Sequence, residues 1–189
     1  GSAVGFYGTA GEVIFTEDTK YPSSDFLGSV TKKWEAAAHV AEDLGIRTVY
    51  ARLGIVLHKD EGALPRMAMP IKYGLGGKIG SGEKWISWIH INDCITLLYF
   101  ALMNEAIEGP MNVTAPHPKR NKEFTDTLAA ILKRPNIFNV PASVVKSIAG
   151  EMAQLVTEGQ YVLPKKAIDN EFIFHYEHLE DALEDIYQY

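Results

Sequence analysis

The segment Gly74–Asp93 reads GLGGKIGSGEKWISWIHIND and places glycine turns, an aromatic strand and a helix start in direct succession. Its first part, Gly74–Gly82, follows no predicted strand and lacks the spacing of a nucleotide-binding loop, so we predict a mobile loop there. Trp85–Ile91 has the aromatic and β-branched content of a strand. Asn92 or Asp93 is expected to cap the helix that follows. A strand that leads into a helix indicates an α/β unit.

The residues upstream of this segment extend the α/β pattern. A helix is predicted from an N-cap at Ser24 or Asp25 to a stop at Gly45, because apolar residues recur at steps of three and four. Thr48–Leu57, TVYARLGIVL, is typical of a strand buried on both faces of a parallel sheet. Ala3–Tyr7 is predicted to be another strand, and we expect these two strands to be parallel neighbours.

Two of the predicted helices carry an apolar face of the kind that packs against a core. In the helix that ends at Gly45 this face consists of Val30, Trp34, Ala37, Ala41 and Leu44. In the helix after Asp93 it consists of Ile95, Leu98, Tyr99 and Leu102.

Helices dominate the remainder of the chain. Further helices are predicted over Gly62–Tyr73, from Asn121, around Val145–Leu155 and over Leu179–Ile186, with a strand at Met111–Ala115. The pattern therefore predicts an α/β sheet portion joined to a smaller α-rich cap.

Composition excludes several classes of function. The net charge of −6 argues against binding to nucleic acid or to an anionic membrane surface, which needs clustered Lys and Arg. The longest apolar run, Cys94–Met103, is about half the length that a membrane-spanning helix requires. Cys94 is the only cysteine, so no internal disulfide forms, as is usual in the cytoplasm.

Several blocks of sequence, taken in order, resemble one protein family. They are SAVGFYG, TED, DFL, KKWEAAA, RLGIVL, GPMNVTAP, GEMA, GQYVLPKKA and the segment quoted above. Together they resemble the YfcH-like epimerase family, whose members are extended short-chain dehydrogenase/reductase relatives. The resemblance implies a Rossmann-type parallel sheet that binds NAD or NADP, with a C-terminal substrate cap.

The resemblance also sets expectations about domain organisation. The glycine-rich dinucleotide turn of such proteins is absent from these residues, so we expect the chain to be the C-terminal part of the Rossmann-type sheet plus the α-rich cap. Residues 1–57 and 90–115 are expected in the cofactor-binding domain. Residues 58–89 and 116–189 are expected in the cap.

The catalytic residues implied by the superfamily are a Ser, a Tyr and a Lys, the last two spaced as YxxxK. Ser2 falls at the serine position, but Leu27 and Thr31 occupy the YxxxK positions when Glu35 is taken as the familiar acidic residue. Tyr7, at the end of the first strand, is the best substitute for the missing phenol as a proton donor. A packing role for Tyr7 in the crevice wall is the alternative.

The residues expected near the cofactor are Lys32, Arg52, Gly54, Ile55 and Val56. One of the adjacent lysines, Lys32 or Lys33, is expected to reach the nicotinamide ribose, and small Gly54 suits close approach of the cofactor. Arg52 lies in an otherwise apolar strand and needs an anionic partner. A structural salt bridge with Glu17 or Glu35 is as good an explanation of Arg52 as a ligand contact.

The aromatic segment supplies the residues expected at the substrate, namely Trp85, Trp88 and His90. The alternative is that the tryptophans and the histidine belong to the core. His175 and His178 are spaced like a metal pair, but no third ligand is evident, so no metal site is expected.

The resemblance implies an NAD(P)-dependent epimerase or oxidoreductase of the extended short-chain type that acts on an unidentified small molecule. The missing YxxxK motif keeps an alternative open, a cofactor-binding sensor or cell-division-inhibitor-like regulatory protein without turnover. An exposed sheet edge would favour a homodimer.

Overall fold

The computed structural model describes residues 1–9, 11–20, 22–141 and 159–188. The strands are β1 Ser2–Ala3, β2 Ile14–Phe15, β3 Val49–Leu53, β4 Ile55–Leu57, β5 Gly76–Ile79, β6 Trp85–Ile86, β7 Trp88–His90, β8 Gly109–Val113, β9 Lys119–Arg120, β10 Asn136–Val140 and β11 Tyr161–Val162. The α-helices are α1 Phe26–Asp43, α2 Leu64–Lys72, α3 Ile91–Met103, α4 Asn121–Ile131, α5 Lys165–Asp169 and α6 Leu179–Gln188.

A parallel sheet of the order β1-β3-β8 forms the centre of the α/β portion. Ser2 lies opposite Arg52 and Ala3 opposite Leu53, so the two predicted strands are parallel neighbours as expected. The predicted extent of the first strand, Ala3–Tyr7, is wrong, because Val4–Tyr7 forms a 3₁₀ turn. This turn ends at Gly8, whose φ of 65° is a conformation that glycine adopts readily.

The strand predicted over Thr48–Leu57 is two strands, divided at Gly54. β3 pairs with β8, whereas β4 pairs with β7. At the division the Gly54 amide donates to Val113 O over 3.1 Å and the Ile55 amide to Ser87 O over 2.8 Å. A Cβ on Gly54 would lie 2.5 Å from Ser87 O. Glycine is therefore required where the chain passes from one sheet to the next.

The segment Gly74–Asp93 contains more regular structure than predicted. The expected mobile loop Gly74–Gly82 includes β5, which pairs in parallel with β10. The expected strand Trp85–Ile91 is interrupted at Ser87, whose hydroxyl donates to Gln160 O and accepts from the Val162 amide. These bonds draw the chain toward β11 and end the first short strand, β6.

The start of α3 also differs from the prediction. His90 is the N-cap, since its Nδ1 accepts the Asn92 amide over 3.1 Å. Asp93 instead accepts the amides of His175 and Tyr176 over 3.0 Å and 2.8 Å. This buried carboxylate therefore ties the C-terminal segment to α3.

The other helix boundaries agree with the sequence pattern. Asp25 caps α1 by accepting the Gly28 amide, and Gly45 follows the end of that helix with a φ of 74°. α4 begins at Asn121 as predicted. The helix predicted around Val145–Leu155 lies outside the described residues.

Besides a small cluster at the 3₁₀ turn, two larger apolar clusters hold the described elements together. The larger packs α2, α4 and α6 around Leu57 and Trp88. The other lies beneath α3, where Leu97, Ile89 and Met111 are completely buried. β4 and β7 contribute to both clusters, so the sheet portion and the helical portion share this pair of strands. The predicted assignment of residues to two domains stays a prediction.

The predicted apolar faces of α1 and α3 are not core faces. On α3 the buried residues are Asp93, Cys94, Leu97 and Ala101, while Ile95, Leu98, Tyr99 and Leu102 are exposed. On α1 only Gly28 and Thr31 are buried. A hydrophobic period identifies an apolar face but does not specify what covers it, and here the described residues do not cover it. None of the helices in the described part of the chain is long and apolar enough to cross a membrane.

Replacing Gly54 with alanine tests the strand division. We expect Gly54→Ala to lower the free energy of unfolding by about 1–3 kcal/mol, because the added methyl group must displace the Ser87 carbonyl. Urea unfolding followed by tryptophan fluorescence measures the change. A loss below about 0.5 kcal/mol would show that the close approach at Gly54 imposes no constraint.

Candidate functional site

A cluster of buried polar residues joins the sheet to α1. This polar cluster consists of Ser2, Tyr7, Glu35, Arg52 and Asn112. Its members come from β1, the 3₁₀ turn, α1, β3 and β8, and none of them is exposed. Sequence analysis named the first four of these residues but gave no reason to expect Asn112.

Arg52 is the centre of the polar cluster. Its side chain donates to both carboxylate oxygens of Glu35 over 2.8 Å, and its guanidinium carbon lies 3.4 Å from the centre of the Phe6 ring. In this bidentate arrangement the carboxylate compensates the positive charge of the buried guanidinium. The structure thus supplies the salt bridge with Glu35 that the sequence left open, and Glu17 is not the partner.

Tyr7 is held by hydrogen bonds on both sides of its hydroxyl. The phenol accepts from Arg52 Nη1 over 2.9 Å and donates to Asn112 Oδ1 over 2.7 Å. Burial raises the pKa of Tyr7 above its ordinary value, against the opposing effect of Arg52. With only 5% of its surface exposed, Tyr7 directs its hydroxyl proton to the Asn112 amide oxygen and does not offer it to a substrate in this arrangement.

Ser2 and the α1 residues complete this part of the site. The Ser2 hydroxyl donates to Glu35 Oε1 over 2.7 Å. Thr31, at the expected lysine position, donates to the carbonyl oxygens of Leu27 and Gly28. Lys32 is exposed on α1. Spacing of three and four residues places Lys32 on the same face as Gly28 and Glu35.

Glu17 is a half-buried acid whose contacts the sequence did not show. One carboxylate oxygen accepts the Asn112 amide over 2.9 Å and the Lys166 amide over 3.2 Å. The other oxygen, Oε2, is buried and has no hydrogen-bond partner. Burial raises the pKa of Glu17 above its ordinary value. The sequence named Glu17 only as part of the TED block and as a possible partner of Arg52.

The expected cofactor residues from Arg52 to Val56 offer apolar surface and no free charge for a diphosphate. Ile55 and Val56 are half-buried, so each offers apolar surface at the carboxyl side of β3. Arg52 is buried and neutralised, so its guanidinium is not available to a phosphate. The space beside Gly54 is filled by the Ser87 main chain.

The three residues expected at the substrate are in different environments. Trp88 is completely buried and its indole donates to His117 O, which matches the core alternative. His90 is also buried, with its ring centre 3.9 Å from that of Tyr176 and tilted by 35° against it. Its Nε2 lies 3.2 Å from Asp185 but is not aligned for a hydrogen bond. Burial lowers the pKa of His90, which favours a neutral ring.

Trp85 borders a cavity. Its ring lies between Tyr161, at 4.5 Å, and the Arg120 guanidinium, at 4.1 Å, and its buried Nε1 has no hydrogen-bond partner. A cavity of about 180 Å³ adjoins it, lined by Gly11, Glu12, Ser81, Glu83, Lys84, Trp85, Arg120 and Gly159. Arg120 is paired with Glu12 across this space.

Comparison with known proteins places these features in context. The family model described as Domain of unknown function (DUF1731) matches residues 140–186. The epimerase family protein YfhF of Bacillus subtilis is 46% identical over 185 residues, which are 98% of this chain and 61% of that protein. The epimerase family protein SAR0825 of Staphylococcus aureus is 42% identical over 98% of this chain and 62% of its own length.

The chain is related to the epimerase-family proteins. Among solved structures, human epimerase family protein SDR39U1 with NADPH superposes with a TM-score of 0.92 at 34% identity, over 99% of this chain and 63% of that one. The chain therefore spans about three fifths of these epimerase-family relatives.

More distant structures confirm the fold class. Thermus thermophilus UDP-glucose 4-epimerase, in complex with NAD, superposes with a TM-score of 0.76 at 17% identity, over 99% of this chain and 62% of that one. At this identity the likeness concerns the fold alone. The predicted α/β class with a Rossmann-type parallel sheet is confirmed.

Substitution of Glu35 tests the polar cluster. We expect Glu35→Gln to lower the free energy of unfolding by about 2–4 kcal/mol, because Arg52 would stay buried without its carboxylate. Glu42→Gln, on the same helix, is the matched control, since its side chain is 33% exposed against 13% for Glu35. The control substitution should lower the free energy of unfolding by less than about 1 kcal/mol. Equal losses in chemical denaturation would contradict a structural role for the pair.

Proposed function

We propose that this chain forms part of an NAD(P)-dependent epimerase or oxidoreductase of the extended short-chain type, acting on a small molecule. The observation that carries the proposal is the likeness to the NADPH-bound human protein across 99% of the chain. The parallel order β1-β3-β8, with polar and half-buried residues along its carboxyl side, supports it. A cytoplasmic location is part of the proposal and rests on the single cysteine.

In this proposal the chain forms the wall of the cofactor crevice beside the nicotinamide. Bound NAD(P) would supply or receive a hydride at that ring. Ile55 and Val56 would exclude water from one side of the ring, and Lys32 would hold the ribose. The polar cluster beneath them fixes the position of β3, from which this wall extends. Trp85, beside the cavity, is the residue we propose for contact with substrate.

Adjacent lysines on α1 provide a test of cofactor binding. We expect the natural polypeptide that carries these residues to bind NADPH in calorimetry, and Lys32→Ala to weaken binding about tenfold through loss of a charged contact. Lys33→Ala is the matched control, because this exposed neighbour lies outside the row formed by Gly28, Lys32 and Glu35.

Two results of that experiment would count against the proposal. Absence of NADPH and NADH binding at millimolar concentration would remove the cofactor assignment altogether. Equal weakening by Lys32→Ala and Lys33→Ala would instead remove the specific role of Lys32 and leave only a general effect of surface charge.

A second candidate function is cofactor binding without turnover, as in a sensor or regulatory protein. The state of Tyr7 favours it, since the phenol is buried and donates to Asn112, and Leu27 and Thr31 provide no replacement on α1. The two functions differ in one measurement. Steady substrate-dependent oxidation of NADPH would exclude the sensor, whereas stoichiometric binding without oxidation over a substrate panel would support it.

Self-association is a further proposal, based on the exposed apolar face of α3. Leu102 is 68% exposed there, and burial of such a face would favour a dimer. We expect a dimer in sedimentation velocity, and Leu102→Glu should shift it toward monomer. Met69→Glu, at an exposed position on α2, is the matched control and should leave the dimer intact. A wild-type protein that sediments only as a monomer would contradict the proposal.

A further inference from the structure

Three side chains with metal-binding groups, none of them a member of the polar cluster, converge on the surface. They are His117, Glu177 and His178, whose ligand atoms all lie within 4.8 Å of one another. The two imidazole rings are stacked, with centroids 5.0 Å apart and planes 6° apart. His175, which the sequence suggested as the partner of His178, is not a member, and the missing third ligand comes from the distant residue His117.

We propose that His117, Glu177 and His178 form a binding site for a divalent transition-metal ion, with Zn²⁺ as the best match. Two imidazoles and one carboxylate favour zinc over calcium or magnesium, which prefer oxygen ligands. Three protein ligands leave a fourth tetrahedral position for water. This site is independent of the proposed cofactor function.

The main chain at His117 is fixed before any ion binds. Pro116 and Pro118 flank it, and each proline ring restricts the backbone around the histidine. The His117 carbonyl oxygen accepts the indole N–H of Trp88, which is completely buried. Only the His117 side chain, which is exposed, needs to be ordered on binding.

The main chain of the other two ligands is fixed by α6. The His178 carbonyl oxygen accepts the Ala182 amide, and the next residue, Leu179, is completely buried. Lys119 and Glu180, placed two residues beyond His117 and His178, form an ion pair at 3.5 Å. The two segments are thus already held side by side, and the positive charge of Lys119 is compensated.

The three ligand atoms need to move only a short distance to reach the spacing that zinc requires. Tetrahedral zinc with bond lengths of about 2.0–2.2 Å requires ligand atoms about 3.3–3.5 Å apart. Rotation of the exposed side chains between staggered conformations can close the difference from the observed spacing. The bound ion would fasten the turn at His117 to the start of α6, so it would stabilise the attachment of the C-terminal helix.

Zinc and cobalt titrations of the natural polypeptide test this site. We expect calorimetry with ZnCl₂ to show one site per chain, and Co²⁺ to give the visible absorption of a tetrahedral nitrogen and oxygen complex. His117→Gln, His178→Gln and Glu177→Gln should each weaken zinc binding at least about tenfold. His175→Gln is the matched control, since this exposed histidine lies outside the cluster, and it should bind zinc as the wild type does.

Thermal unfolding gives a readout of the stabilising role. Zinc should raise the Tm of the wild type and of His175→Gln, and it should leave the Tm of His117→Gln unchanged. Three results would each overturn the proposal: no zinc binding at about 100 μM, undiminished binding by His117→Gln, or equal weakening by His175→Gln. The last result would indicate adsorption of zinc to scattered surface groups.

Discussion

Burial of the Arg52 guanidinium is the constraint on which the rest of the α/β portion depends. A cation inside a parallel sheet is tolerated only with a well-oriented anionic partner. Glu35 provides that partner from α1, so α1 must lie over β1 and β3 in one register. Ser2, Tyr7 and Asn112 then satisfy the remaining hydrogen-bonding groups of the cluster. The pairing therefore fixes a helix and the strands of the central sheet relative to one another.

The same constraint limits what the proposed crevice wall can do chemically. Two residues expected in catalysis are used here to stabilise the fold. Ser2, at the superfamily's serine position, donates to Glu35, and Tyr7, the expected substitute for the missing phenol, is held between Arg52 and Asn112. What remains accessible beside β3 is the half-buried pair Ile55 and Val56. A rigid apolar wall of this kind is suited to positioning a planar ring and excluding water. Proton transfer would require a group from elsewhere or a rearrangement of Tyr7.

Sequence reasoning succeeded where the signal was local or carried by resemblance. The Asp25 cap, the start of α4 at Asn121 and the parallel pairing of Ser2–Ala3 with β3 all follow the predicted pattern. The need of Arg52 for an anionic partner was also evident from its apolar neighbours. The sequence did not show that this partner is Glu35 and not Glu17, because the pairing depends on the placement of α1 over the sheet.

The predictions that failed depend on tertiary contacts, which the spacing of apolar residues in the sequence does not specify. The break at Gly54 arises from the Ser87 carbonyl on another strand, and the exposure of the apolar face of α3 depends on what the rest of the molecule covers. The convergence of His117 with His178 likewise depends on the path of the chain between them. Nothing in the sequence indicated the role of Asn112 either, because that role follows from its contact with Tyr7.

A crystal structure of the natural polypeptide with NADPH would test most directly whether these residues form the cofactor crevice wall. The expected result is a nicotinamide ring within about 4 Å of Ile55 or Val56, above an unchanged pairing of Arg52 with Glu35. A nicotinamide bound away from β3 and β4, or a cofactor phosphate paired with Arg52 in place of Glu35, would contradict it.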